Sequence, residues 1–170
     1  GCIVNGVYTT SIVPNVTTGS TAPVTNYAWT SIPSQNVTFS IAPNSLSPNT
    51  NVSITAGGTY ALTLTATNVC GNTSATQNIS AIVPPTVSLA SVPPSCVPYT
   101  YAPLPLVNNG GGTISSYTWT IAPGVQGVNW SITSGSLTSA NPVINFLLPG
   151  SYTVTHTVVN SCGQASNSIT

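Results

Sequence analysis

Apolar side chains recur at every second position along most of this chain, not at every third or fourth. Tyr60, Leu62, Leu64 and Ala66 fall on one side of an extended segment, and Thr63, Thr65 and Thr67 fall on the other. Tyr152, Val154, His156 and Val158 alternate in the same way with Thr153, Thr155 and Thr157. Val37, Phe39 and Ile41 do so over a shorter stretch, as do Val128, Trp130 and Ile132. A period of two marks strands with one buried face. Thr, Val, Ile and Tyr fit a pleated surface, while the frequent Pro, Gly and Asn break the chain into turns. No amphipathic helical stretch interrupts the pattern, so an all-β protein is expected.

The pattern occurs twice. Tyr27-Ala28-Trp29-Thr30 returns as Tyr117-Thr118-Trp119-Thr120, Gly58-Thr59-Tyr60 as Gly150-Ser151-Tyr152, and Asn68-Val69-Cys70-Gly71 as Asn160-Ser161-Cys162-Gly163. Cys2 has its counterpart in Cys96. Two tandem modules follow, 1–84 and 85–170, joined at Val83-Pro84-Pro85-Thr86, where the paired prolines favour an extended connection. The copies differ at their ends. The second opens with a strand-like lead-in, Thr86 to Val92, that the first lacks, and the last strand of the second stops a few residues early. Such ends suggest a window on a longer array, the alternative being that the first copy is an atypical end cap. About 85–90 residues of short strands per copy argue for an Ig-like antiparallel β-sandwich in each. Trp29, Trp119 and Trp130 are expected in the cores. Tyr60 and Tyr152 fall where a tyrosine corner would lie, although the following Cys comes ten residues later rather than two.

Composition narrows the function. The 170 residues contain no Lys, Arg, Asp or Glu and a single His, against about 25% charged residues in ordinary domains. Acid–base, phosphoryl-transfer and glycosyl-transfer chemistry lose their usual proton carriers and cation sites, so the chain is expected not to be an enzyme and to use no cofactor. Nucleic-acid binding lacks the cations that neutralise phosphates, and no apolar run is long enough to insert in a membrane. With almost nothing to titrate, stability is expected to change little between acid and neutral pH. Zero net charge with a mean hydropathy of +0.30 favours association unless glycans supply solubility.

Four cysteines with no Met point to disulfides in an oxidising, extracellular setting. Three pairings are possible. Repetition favours Cys2 with Cys70 and Cys96 with Cys162, each closing a loop that the chain-entropy model values at about 4 kcal/mol. Gly71 and Gly163, next to the second Cys of each copy, suit a turn residue at positive φ.

Tyr-x-Trp-Thr, Pro149-Gly150-Ser151-Tyr152-Thr153-Val154-Thr155 and Val159-Asn160-Ser161-Cys162-Gly163 together resemble polycystic-kidney-disease (PKD)-type repeats. The cysteine-containing variety in giant secreted adhesins and gliding-motility-associated surface proteins of Bacteroidota is the more specific likeness. The family's acidic Trp-Asp-Phe-Gly-Asp-Gly signature is represented only by Trp29-Thr30 and Trp119-Thr120. The resemblance implies β-sandwich spacers or adhesive units on exported surface proteins, with no catalysis and no particular ligand.

His156 aligns with Leu64 on the inward face and reads as a buried or rim histidine. It has no acid to orient it for nucleophilic catalysis. Tyr99 and Tyr101 are the better candidates for an exposed sugar-stacking surface. Six sequons, Asn15, Asn36, Asn51, Asn72, Asn78 and Asn129, are candidate N-glycosylation sites. The expected role is a non-catalytic structural segment of a cell-surface adhesin, stalk or filament. Its expected partners are neighbouring copies of the same repeats, joined in one version by strand donation, with surface glycans as further partners. The alternative is a carbohydrate-binding module appended to a secreted hydrolase.

Overall fold

The computed structural model describes residues 1–17, 22–40 and 46–170. The described residues form strands and turns with no helix, and divide into two compact units, Gly1–Val83 and Pro84–Thr170. Ile41, the last of the alternating Val37–Phe39–Ile41 set, lies outside the described residues.

In the first unit the strands are β1 (Tyr8–Ile12), β2 (Asn26–Ile32), β3 (Val37–Phe39), β4 (Thr50–Ile54), β5 (Gly58–Asn68) and β6 (Gly71–Ala81). They make two antiparallel sheets, β1-β4-β3 and β2-β5-β6. The inward sides meet in one core. Val52 and Ile54 from β4 pack with Tyr60 and Leu62 from β5 and Ala81 from β6, and Trp29, Phe39 and Ile12 close its margin. Leu62 is 1% exposed, and a side chain buried to that degree stabilises by about 1.5–3 kcal/mol. The period-two pattern therefore converts directly into a sandwich interior.

The second unit repeats this plan and adds to it. Its strands are β7 (Thr86–Ser88), β8 (Tyr99–Tyr101), β9 (Leu106–Asn108), β10 (Ile114–Ala122), β11 (Trp130–Ser134), β12 (Val143–Phe146), β13 (Thr153–Asn160) and β14 (Gly163–Ile169). The sheets β8-β12-β11 and β10-β13-β14 match those of the first unit, and β7 pairs with β9. Register confirms the equivalence: Trp29 faces Leu64 across β2 and β5, and Trp119 faces His156 across β10 and β13. Trp119, Trp130, Ile144 and Val154 form the centre of the core.

The same polar fastenings recur in both units. Trp29 Nε1 donates to the Pro48 carbonyl at 2.9 Å, and Trp119 Nε1 to that of Ser139 at 2.9 Å. The Tyr60 hydroxyl donates to the Ala56 carbonyl at 2.8 Å, and the Tyr152 hydroxyl to that of Leu148 at 2.8 Å. Each is a tyrosine reaching back four residues to pin the loop before its strand. On the outward faces, hydroxyls pair across strands where charged pairs would ordinarily sit. Thr63 and Thr76, Thr155 and Ser168, and Thr157 and Ser166 each meet at 2.8 Å. Such cross-strand pairs contribute about 0.2–1 kcal/mol each and need no ion.

Candidate assembly site

The two units differ most at one sheet edge. In the second unit the lead-in strand β7 lies beside β14. The Leu89 amide, just past β7, donates to Asn167 Oδ1 at 2.9 Å, and Leu89 and Val92 pack against the core. The residue equivalent to Asn167 in the first unit is Ala75, on β6. Gly1 to Ile3 hydrogen-bond to its Ser80–Ile82 end, but along Gly71–Asn78, all exposed, no strand covers β6 among the described residues, and it is the outer strand of its sheet. A groove of about 680 Å³ runs along it, lined by Ile12, Trp29, Leu62, Leu64, Ala75 and Gln77 among others. An edge strand presents a row of unpaired N–H and C=O groups and is ordinarily blunted by Lys, Pro or a bulge. Gly71 to Ala81 contains neither Lys nor Pro, and its pairing with β5 is unbroken from Gly58↔Ala81 to Asn68↔Gly71. The first unit thus offers an open edge and an apolar trough at the place where the second holds its own lead-in strand.

The cysteines require a correction. Cys2 and Cys162 are each disulfide-bonded, whereas Cys70 and Cys96 are exposed free thiols, so the expected pairs Cys2–Cys70 and Cys96–Cys162 are not formed. Strand direction explains why. Cys2 bridges Ile82, just beyond the open end of the β5–β6 hairpin, while Cys70 is in the turn that closes it. Eleven residues of β6 lie between, roughly 35 Å at about 3.3 Å per residue. In the second unit Cys162 is in the β13–β14 turn. Ser95 and Val97, flanking Cys96, line a cavity with Tyr152, Ile169 and Thr170 at the opposite end. The seven residues of β14 separate them by about 23 Å. A disulfide holds its Cα atoms within about 7 Å, so neither unit can close its own bridge. Gly71 and Gly163 do take positive φ, 140° and 153°, and a Cβ on Gly163 would meet Pro84 at 3.2 Å.

His156 is fully buried, stacked on Trp119 with ring centroids 3.9 Å apart and planes 7° apart, with Tyr117 at 5.9 Å. Neither ring nitrogen has a hydrogen-bond partner. Burial pushes its pKa below the usual imidazole range, because the charged form loses its water. His156 is the one side chain through which acid is expected to act on stability. It is a core residue.

Tyr99 and Tyr101 are not an exposed platform. Tyr101 is buried and Tyr99 half-buried on β8, and burial raises the Tyr101 pKa with Tyr99 adding to it. Every strongly exposed large hydrophobic residue described is aliphatic, such as Ile32, Val69, Leu104 and Leu106. Trp119, Trp130 and Tyr60 are buried, and Trp29 and Tyr152 are half-buried against the cores. Among the sequons, Asn15, Asn36, Asn51, Asn72 and Asn78 are exposed. Asn129 is half-buried, and its Oδ1 accepts from the Val125 amide at 2.8 Å.

Solved structures place this architecture. A three-domain I-band fragment of titin, I67–I69, aligns with 99% of the chain at 16% identity and a TM-score of 0.51, and its E-to-A variant does so at 16% and 0.52. The fold is immunoglobulin-like. The chain spans 60% of the length of those titin fragments. Fibronectin(III)-like modules of Clostridium thermocellum CbhA also align, at 18% identity over 99% of this chain and 86% of theirs, with a TM-score of only 0.34. No family model matches the chain, and no curated protein matches it.

Proposed function

We propose that this chain is a non-catalytic, extracellular structural segment of a cell-surface adhesin, stalk or filament, built from PKD-type Ig-like modules that associate by strand donation. The observation that carries the reading is the uncovered β6 edge above its apolar groove. In the other module the corresponding place is taken by Thr86–Leu89. The occupant is a lead-in strand of that same type, supplied by a neighbouring copy. It would lie along β6 as β7 lies beside β14, and its apolar side chains would fill the trough as Leu89 and Val92 pack against the second core. The presence of a disulfide and the Ig-like fold support an extracellular setting. The absence of Asp, Glu, Lys and Arg supports a role that needs no proton transfer.

The test is a fluorescent peptide with the sequence Thr86–Val92, titrated into the full chain. Saturable binding is expected, with slowed amide exchange confined to Thr73–Gln77 of β6. A peptide carrying Leu89→Asn should lose that binding, because it would place an amide in the apolar trough. Unchanged exchange along β6 at saturating peptide, or protection on another strand instead, refutes strand donation.

A further inference from the structure

Each module carries one cysteine at each end, and the two ends are not alike. At the turn end, Cys70 and Cys162 occupy identical two-residue turns. The Cys70 amide donates to Asn68 Oδ1 at 2.8 Å, and the Cys162 amide to Asn160 Oδ1 at 2.8 Å. Asn68 and Asn160 each anchor that turn to a neighbouring loop through Nδ2, at 3.3 Å to Ala22 and 2.9 Å to Asn109. The free thiol of Cys70 is therefore presented in the backbone setting that its repeat equivalent uses when oxidised. At the open end, Cys96 is the repeat equivalent of Cys2. Of the four, the oxidised ones are Cys2, beside the last residues of the first module, and Cys162, beside the Pro84 that begins the second. One belongs to the open-end class and one to the turn-end class. The two left free and exposed, Cys96 and Cys70, are again one of each class.

We propose that Cys96 of one copy and Cys70 of the next form an intermolecular disulfide, joining copies head to tail in a covalent chain. Neither module can join its own two cysteines, and Cys70 and Cys96 stay unbonded and exposed within the chain, open to a partner copy. The linkage is also self-propagating: each copy offers one thiol of each class, so every bond formed leaves one of each at the ends of the product. This is a heterologous contact, which extends rather than closes unless a ring forms. The oxidant is a disulfide of the exchange-competent class. Two thiols and one glutathione disulfide give one protein disulfide and two glutathione thiols, through a mixed-disulfide intermediate. The proposal does not depend on strand donation.

The full chain, purified without reductant, is incubated with oxidised glutathione and run on a non-reducing gel. A ladder in steps of 17.2 kDa that collapses on reduction is expected. Mass spectrometry of its digest should show Cys70–Cys96 linked peptides above the half share of random pairing. Cys70→Ser and Cys96→Ser should each stay largely monomeric and go no further than a dimer, and mixing the two variants should give the Cys70–Cys96 heterodimer in preference to either homodimer. A monomer that keeps both thiols alkylatable, a monomer that loses both, or homotypic links at or above their random share each overturns the proposal. Association that persists in the double variant would report strand donation separately.

Discussion

Replacing His156 by Leu, the residue at the equivalent position of the first module, should make the second module more stable. His156 is 0% exposed, and neither nitrogen is hydrogen-bonded. The neutral ring keeps one donor and one acceptor, and a buried group left unpaired costs about 1–3 kcal/mol. Leucine removes both penalties and loses the stack on Trp119, worth about 0.5–1.5 kcal/mol. The balance is a gain of about 0.5–5.5 kcal/mol. For a module of this size each kcal/mol raises Tm by about 4–8 °C. The pH dependence gives a second, sharper reading. Because the folded pKa lies below the unfolded value of about 6.5, the unfolded chain takes up the proton first as pH falls. Stability is then full above about pH 6.5 and declines below it, by up to about 1.4 kcal/mol per pH unit, until the folded ring protonates too. No other side chain of the acid-to-neutral range is present to obscure this, since the sequence has no Asp or Glu. Urea unfolding at a series of pH values, followed by tryptophan fluorescence, measures both effects. His156→Leu should be flat where the wild type slopes. A variant less stable than wild type by more than about 1 kcal/mol, or one that keeps the wild-type slope, would refute the reasoning.

Two further substitutions and one modification can be measured with the same material. Tyr60→Phe and Tyr152→Phe each remove a hydroxyl bonded to a backbone carbonyl at 2.8 Å. Each should cost about 0.5–1.5 kcal/mol in its own module only, read as separate shifts in urea midpoint. Expressed in a host that N-glycosylates secreted chains, the protein should carry glycan at some of Asn15, Asn36, Asn51, Asn72 and Asn78. It should carry none at Asn129, whose side chain caps the Val125 amide; glycopeptide mass mapping checks this.

The period of two in Tyr60–Asn68 and in Tyr152–Asn160 was sufficient to read the strands and the inward faces, because alternation is a local property of the pleat. Repetition of Tyr-x-Trp-Thr and Gly-x-Tyr likewise exposed the two-module plan. Cysteine pairing was not legible, for a definite reason. Alternation says which face a residue lies on, but not which end of the sheet it lies at. Cys2 and Cys70 are separated by the length of a hairpin whose direction only the fold sets. Tyr99 and Tyr101 misled in a related way: Pro98, Pro103 and Pro105 punctuate their segment, yet β8 joins the sheet through Tyr101↔Ile144 and Tyr99↔Phe146. The open β6 edge was not legible from alternation, which does not say which strand is outermost in its sheet. Its depth needed the neighbouring strands.

Placing the free thiols at Cys70 and Cys96 also decides how tension would pass through such a polymer. Force entering at one and leaving at the other travels along β6, the Val83–Pro84 junction and the segment to Cys96. Strands β1 to β5 and β8 to β14 lie off that route. The contour between the two sulfur-bearing residues is 26 peptide steps of the 170-residue chain, about 90 Å when drawn taut. However completely either sandwich came apart under load, the link could lengthen no further than that. Each copy would behave as a short inextensible tie with its folded bodies hung beside it, rather than as a spring that yields by unravelling.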